Sequence, residues 1–117
     1  MQEILVVDDD ARIRTATAGA LSAMGHEVLS ACDGTEALTI CSSRNDIQLV
    51  VTDVLMPGMR GPDFVARVHA ERPELRVIYM SGDIGDTPPE AFGGWPLLPK
   101  PFTAASLSEV VGQALAG

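Results

Sequence analysis

Short apolar runs alternate with amphipathic stretches along the whole chain. Five short runs of mostly apolar residues predict strands, at residues 4–7, 27–31, 49–53, 77–80 and 97–98. Apolar residues at helical spacing predict helices between them, at about 13–24, 33–41, 61–68 and 103–115. Helix signals support these bounds, because Gly25 follows the first helix, Asp33 and Glu36 form a capping-box pattern, and Pro62 lies in the first turn of the third helix.

Regular alternation of strands and helices predicts a parallel sheet with helices on both faces and right-handed crossovers. We therefore predict an α/β fold, a doubly wound five-stranded parallel sheet with the flavodoxin-like strand order 2-1-3-4-5. Residues 82–96 depart from the pattern, with three Pro and four Gly in fifteen residues. This composition leaves room for about one helical turn, at 89–92. The helix between the fourth and fifth strands, the fourth helix of the pattern, is therefore expected to be short or irregular.

Polar side chains follow the predicted strands at their carboxyl ends. Asp8 and Asp9 follow the first strand, Asp53 ends the third, Ser81 follows the fourth and Lys100 follows the fifth. Ligand-binding and catalytic sites of open parallel sheets lie at this edge, near the switch point in strand order. In the predicted order the first and third strands are neighbours, about 4.8 Å apart, which brings Asp53 beside the two acids. The long side chain of Lys100 can largely cross the remaining two strand spacings, roughly 10 Å.

These residue types indicate phosphoryl chemistry on a carboxylate. Three carboxylates packed closely repel one another, and a hard divalent cation such as Mg²⁺ removes that conflict with oxygen ligands. A hydroxyl and an ammonium suit a phosphoryl group carried on one of the acids. We therefore interpret Asp53 as a nucleophile, with Ser81 donating a hydrogen bond and Lys100 neutralising phosphoryl oxygens.

Composition narrows the functional classes. The chain has 117 residues, 46% hydrophobic and 21% charged, which is typical of one globular domain over 1–117. The formal charge of −8 argues against direct nucleic-acid or anionic-membrane binding. No apolar run approaches the length of a membrane span, and the N-terminus lacks a signal-peptide pattern. Two cysteines cannot form a disulfide framework, so we expect a cytoplasmic protein.

Four motifs in the right order and spacing carry a family resemblance. They are Leu5-Val6-Val7-Asp8-Asp9-Asp10 with Arg14, Thr52-Asp53-Val54-Leu55-Met56-Pro57-Gly58 with Gly61, Met80-Ser81-Gly82, and Lys100-Pro101-Phe102. With these motifs the chain resembles the receiver domain of two-component response regulators over essentially its whole length. Details of the second, third and fourth motifs look most like receivers attached to hybrid histidine kinases.

The resemblance implies a phosphorelay function and a role for each site residue. Asp53 would be the phosphoacceptor, taking a phosphoryl group from the phosphohistidine of a histidine kinase or histidine phosphotransfer protein. Asp8, Asp9, Asp53 and the backbone carbonyl of Leu55 would hold Mg²⁺, and Ser81 and Lys100 would bind the phosphoryl group. The output would be a change in partner interactions, for example with an output domain in the same chain or another. A cis peptide bond before Pro101 is also implied.

The chain departs from the usual receiver pattern at three places. Leu97 stands where an aromatic residue often changes rotamer on phosphorylation, and residues 82–96 are short and rich in Pro and Gly. Leu55, two residues after the phosphoacceptor, is apolar where many relatives are polar. The first two departures argue against the usual switch through the fourth helix and an aromatic residue. The third is expected to affect how water reaches the phosphoryl group.

Three alternatives compete with this interpretation. A flavodoxin-like cofactor binder would need a phosphate-binding loop after the first strand, where three acids would repel phosphate. A phosphatase of the haloacid dehalogenase type would carry its nucleophile after the first strand and a second Asp two residues later, where Leu55 stands after Asp53. A pseudo-receiver serving only as an interaction module would not need all of the acids together with Ser81 and Lys100.

Overall fold

The five apolar runs form one parallel sheet. The computed structural model describes residues 3–116, and its sheet has the order β2-β1-β3-β4-β5, as the sequence predicts. The strands are β1 (Glu3–Val7), β2 (Glu27–Ala31), β3 (Ile47–Asp53), β4 (Arg76–Ser81) and β5 (Leu97–Pro99). β1 and β3 are buried almost throughout, because helices cover both of their faces.

Among the described residues, four α-helices connect and cover the strands: α1 (Ala11–Ala23), α2 (Gly34–Ser43), α3 (Gly61–Glu71) and α4 (Ala104–Ala116). Side chains cap the N-termini of α1 and α2, the second as the capping-box pattern indicates. The Asp10 carboxylate accepts from the backbone N–H of Arg12 at 2.9 Å, and the Asp33 carboxylate accepts from that of Glu36 at 2.8 Å. Each cap satisfies backbone donors that the helix itself leaves unpaired.

The core has two parts, one on each face of the sheet. α1 and α4 pack on one face through buried residues such as Leu21, Leu107 and Val111. α2 and α3 pack on the other face through residues such as Ala37 and Phe64. Within residues 3–116, no helix is long and apolar enough to cross a membrane.

A single 3₁₀ helix, Pro89–Phe92, replaces a full fourth crossover helix, which confirms the short or irregular element predicted there. Phe92 is 4% exposed and packs edge-on against Tyr79, with ring centroids 5.1 Å apart. Trp95 leans on His69 of α3 at 5.7 Å between ring centroids. The peptide bond between Lys100 and Pro101 is cis, as the resemblance implies.

Candidate functional site

The carboxyl ends of four strands bring the predicted polar residues to one edge of the sheet. Asp8 follows β1, Asp53 is the last residue of β3, Ser81 is the last residue of β4, and Lys100 follows β5. All of these strands run parallel, so their carboxyl ends meet at this edge. Asp9, which is exposed, lies next to buried Asp8.

Three carboxylates come together at the centre of this edge. One oxygen each from Asp8, Asp9 and Asp53 lies within 4.8 Å of the others. Asp8 is fully buried and Asp53 is 9% exposed. Two local hydrogen bonds orient these acids: the Asp8 carboxylate accepts from Asp10 N–H at 2.9 Å, and the Asp53 carboxylate accepts from Val54 N–H at 2.9 Å.

Lys100 supplies the positive charge of the cluster. Its Nζ lies 3.0 Å from Asp8 Oδ2 and 3.3 Å from Asp53 Oδ2, so one ammonium bridges both acids. The Lys100 side chain is 15% exposed. The sequence-based expectation that this side chain crosses from β5 to the acids is therefore confirmed.

The electrostatics of the site follow from burial and from crowding of like charges. Burial raises the pKa of Asp53, and the negative charge of Asp8 raises it further, while Lys100 acts in the opposite direction. Burial alone would disfavour the charged form of Lys100. However, its hydrogen bond to Asp8 and the attraction of both carboxylates outweigh burial and raise the pKa of Lys100. The site is thus a largely buried acidic cluster in which Asp8 and Asp53 share the ammonium of Lys100.

The cluster has a donor set that suits a hard divalent cation. Such ions take oxygen ligands, and Mg²⁺ binds them at about 2.0–2.1 Å in an octahedron, so ligand oxygens on one ion lie within roughly 4.2 Å of each other. Carboxylate oxygens within 4.8 Å of one another need only small side-chain movements to reach that spacing. The residues present therefore fit a bound cation.

Gly61 ties α3 to the backbone of the acidic cluster. Its N–H donates to the Val54 carbonyl at 2.8 Å. A Cβ built on Gly61 would lie far inside van der Waals contact with the Asp53 carbonyl oxygen. Only glycine fits this close approach. The first turn of α3 is therefore held against the residue that the sequence marks as the nucleophile.

Ser81 lies at the rim of the cluster and is half-buried. Its backbone carbonyl accepts the N–H of Lys100 at 3.1 Å, so the hydroxyl-bearing residue and the ammonium-bearing residue are backbone neighbours across β4 and β5. Leu55, two residues after Asp53, is also half-buried. Ser81 is one residue beyond Met80, the register partner of Asp53 on β4, so it lies on the strand next to that acid.

Two further hydrogen bonds of arginine side chains complete the surroundings of the site. Arg14 donates from Nη1 to the Asp8 carbonyl at 2.8 Å, which explains its place beside the first motif. Arg60 and Thr87 belong to none of the motifs that predict the site, and they hydrogen-bond each other at 2.9 Å beside Leu55. A signal for Arg60 exists in the sequence, because an arginine stands where a helix opened by Gly-Pro would ordinarily have a capping residue.

A family profile accounts for nearly the whole chain. Residues 4–112 match the response regulator receiver domain. Curated relatives include the DNA-binding transcriptional regulator NtrC of Azospirillum brasilense, 38% identical over 116 residues, which cover 96% of this chain and 24% of the relative. The sensor kinase CckA of Brucella abortus is 33% identical over 118 residues, which cover 96% of this chain and 12% of the relative. The chain thus spans about a quarter or less of the length of these two relatives.

Solved structures agree on the fold. A response regulator receiver domain protein from Clostridium thermocellum superimposes with a TM-score of 0.90 at 32% identity, covering 99% of this chain and 95% of that chain. The chemotaxis protein CheY4 of Vibrio cholerae gives a TM-score of 0.87 at 30% identity, covering 97% of this chain and 98% of that chain. Neither these structures nor the matched family supports the haloacid dehalogenase alternative. The relatives include both a transcriptional regulator and a sensor kinase, and the chain belongs to the response regulator receiver domain family of two-component systems.

Proposed function

We propose that the chain is a phosphoacceptor module in which Asp53 receives a phosphoryl group from a phosphohistidine. The observation that carries this proposal is the ammonium of Lys100, which lies within 3.3 Å of both Asp53 and Asp8 in a largely buried cluster. A positive charge at this place, beside a carboxylate and a strand-end hydroxyl, stabilises a phosphoryl group in transfer. The resemblance of the four motifs to receivers points to the same residue.

The transfer is a displacement at phosphorus. A carboxylate oxygen of Asp53 attacks, the bond between phosphorus and one imidazole nitrogen of the donor breaks, and its electron pair returns to that nitrogen. The other ring nitrogen carries a proton, so the donor leaves as a neutral imidazole. The product on Asp53 is an acyl phosphate. Val54 N–H holds the carboxylate in place, Lys100 offsets the charge of the phosphoryl oxygens, and Ser81 donates a hydrogen bond to one of them.

Mg²⁺ is the cation that we assign to the acidic cluster. Asp8, Asp9, Asp53 and the backbone carbonyl of Leu55 would hold it, the last two on either side of Val54. When bound, it supplies positive charge that offsets the phosphoryl oxygens. The oxygen-only donor set favours Mg²⁺ over softer transition metals.

The partners follow from this chemistry. A histidine kinase or a histidine phosphotransfer protein would supply the phosphoryl group, and phosphorylation would change contacts with an output domain in the same chain or another. The curated relatives carry such a receiver in much longer chains, as in the transcriptional regulator and the sensor kinase. Such a phosphorelay would operate in the cytoplasm. The charge of −8 argues against direct nucleic-acid binding by this chain.

The proposal predicts one phosphorylation site. Incubation with acetyl phosphate and Mg²⁺ should add the mass of a single hydroxylamine-labile phosphoryl group, measured by intact mass spectrometry. Asp53→Asn should add none, because an amide is not a nucleophile for this reaction. The same mass gain in Asp53→Asn would assign the phosphoryl group elsewhere and contradict the proposal. Continuous phosphate release at many turnovers per chain would instead indicate a phosphatase.

A further inference from the structure

The N-cap position of α3 holds an unexpected residue. Arg60 is the N-cap of this helix, and its side chain makes no capping hydrogen bond. Ser, Thr, Asp and Asn are strongly preferred at this position, and the positive end of the helix dipole disfavours a cation there. Local helix formation therefore gives no reason for an arginine. Its partners lie 26 and 27 residues further along the chain.

Arg60 reaches across to the segment that follows β4. Its Nη1 lies 2.9 Å from Thr87 Oγ1 and 2.7 Å from Asp86 Oδ1. The Asp86 side chain is 87% exposed, so that ion pair is screened by water and weak. Thr87 is only 8% exposed, and its hydroxyl accepts a charge-assisted hydrogen bond from the guanidinium. The contact to Thr87 is therefore the one that anchors the segment.

The segment that Arg60 anchors lies over Leu55. We call residues 82–87 the covering loop. Gly85 sits at its middle with φ +59, and a Cβ built there would lie 3.4 Å from Leu55 Cδ1 and 3.9 Å from Arg60 Nη1. The Asp83 carboxylate accepts from Gly85 N–H at 2.8 Å and turns the loop at this point. The loop backbone thus packs on the side chain two residues after Asp53.

Close backbone contacts hold the Arg60 end of this hydrogen bond in place. Arg60 directly precedes Gly61, whose N–H is bonded to Val54 and whose backbone lies against the Asp53 carbonyl. These contacts form a ring. Gly61 lies against Asp53, the neighbouring Arg60 binds Thr87, and Gly85 of the same loop lies next to Leu55. Movement of the covering loop away from Leu55 would have to break the hydrogen bond between Arg60 and Thr87.

We propose that Arg60 is a positioning residue that holds the covering loop against Leu55 and thereby slows the loss of the phosphoryl group from Asp53. This role rests on the proposed function. In the reaction it slows, a water oxygen attacks phosphorus and the bond between phosphorus and the Asp53 oxygen breaks. Its electron pair returns to the carboxylate, and the water's hydrogens leave on inorganic phosphate or as a proton to solvent. An apolar Leu55 covered by backbone leaves less room for that water than an open rim.

The test is the half-life of phosphorylated Asp53 after the phosphodonor is removed. Arg60→Ala should shorten it by about 3- to 10-fold, and so should Thr87→Val, which keeps the shape of Thr87 but removes the hydroxyl. Asp86→Asn should stay within about 2-fold of wild type, because the pair it weakens is exposed. Arg60→Lys, which retains a charged donor, should fall between wild type and Arg60→Ala.

The matched control is Arg67→Ala, which removes a guanidinium about two turns further along the same helix, beside Leu38 and Ser42 of α2. This variant should keep the wild-type half-life. Amide hydrogen exchange in the unphosphorylated chain supplies a readout that general destabilisation would not reproduce. Exchange in residues 82–87 should speed up in Arg60→Ala and Thr87→Val while exchange in β1 and β3 stays unchanged.

Each outcome supports or overturns the role of Arg60. Half-lives of Arg60→Ala and Thr87→Val equal to wild type would overturn the role of Arg60 and leave the proposed function intact. A shortened half-life in Arg67→Ala as well would assign the effect to the helix as a whole and overturn it too. A wild-type chain that accepts no phosphoryl group would overturn the proposed function, and this role with it. If Arg60→Ala does not fold, Arg60→Gln and Thr87→Val carry the same comparison.

Discussion

At the scale of the residue, Gly61 shows most directly how one atom constrains the site. An added Cβ would collide with the backbone of Asp53 and Val54, which cannot move aside as the end of a flexible side chain can. We expect Gly61→Ala to lower the free energy of unfolding by about 1–3 kcal/mol, the usual cost of forcing atoms into a packed region. Urea unfolding at fixed pH measures it.

Gly19 provides the control for this prediction. It lies in α1 with nothing within 4 Å of a Cβ built on it. Because alanine is a better helix former than glycine, Gly19→Ala should raise the free energy of unfolding by about 0.5–1 kcal/mol. Equal and small effects of the two substitutions would show that α3 can shift away from Asp53, contrary to the close approach described for Gly61.

At the scale of the element, residues 82–96 replace a regular helix with a few buried anchors. Phe92 is the largest of them, 4% exposed and packed on fully buried Tyr79. We expect Phe92→Ala to cost about 3–5 kcal/mol of folding free energy, because it removes a ring from a closed core. The fluorescence of Trp95, the single tryptophan, reports this segment directly during unfolding.

Leu97 serves as the comparison within the same region. Its side chain is 44% exposed on the edge strand β5. Leu97→Ala should change the free energy of unfolding by no more than about 0.5 kcal/mol. A similar loss in both variants would mean that the exposed strand, and not the anchor Phe92, holds this part of the fold.

At the scale of the whole molecule, cation binding should be coupled to stability. A ligand that binds only the folded chain stabilises it by RT ln(1 + [L]/Kd), about 2.7 kcal/mol at 100 times Kd. We expect Mg²⁺ to raise the melting temperature of the wild type. Asp9→Ala should lose most of that rise, because it removes one of the three clustered carboxylates while altering only an exposed side chain.

Glu109→Ala removes an exposed acid from α4, away from the cluster, and controls for the change in net charge. It should keep the wild-type response to Mg²⁺. An equal response in Asp9→Ala and wild type would exclude Asp9 from the cation site. An equal loss in Asp9→Ala and Glu109→Ala would indicate nonspecific screening of the acidic surface.

The sequence alone was sufficient to predict the order of the elements and the edge of the sheet at which the candidate site residues lie. Apolar periodicity is a local property, and parallel strands bring their carboxyl ends together whatever their loops do. Asp8, Asp53, Ser81 and Lys100 therefore took their predicted places at one edge. The short helix at Pro89–Phe92 could also be predicted from local sequence, because Pro and Gly act on the backbone where they stand.

Only the tertiary structure decided which distant side chains meet. One ammonium of Lys100 serves two acids at 3.0 and 3.3 Å, although strand order implied no more than reach. The contact between Arg60 and Thr87 joins residues 27 positions apart that no periodic pattern relates. Such contacts depend on how a loop without regular structure folds back on a helix end. That path is set by packing of the whole chain, and local sequence preferences do not encode it.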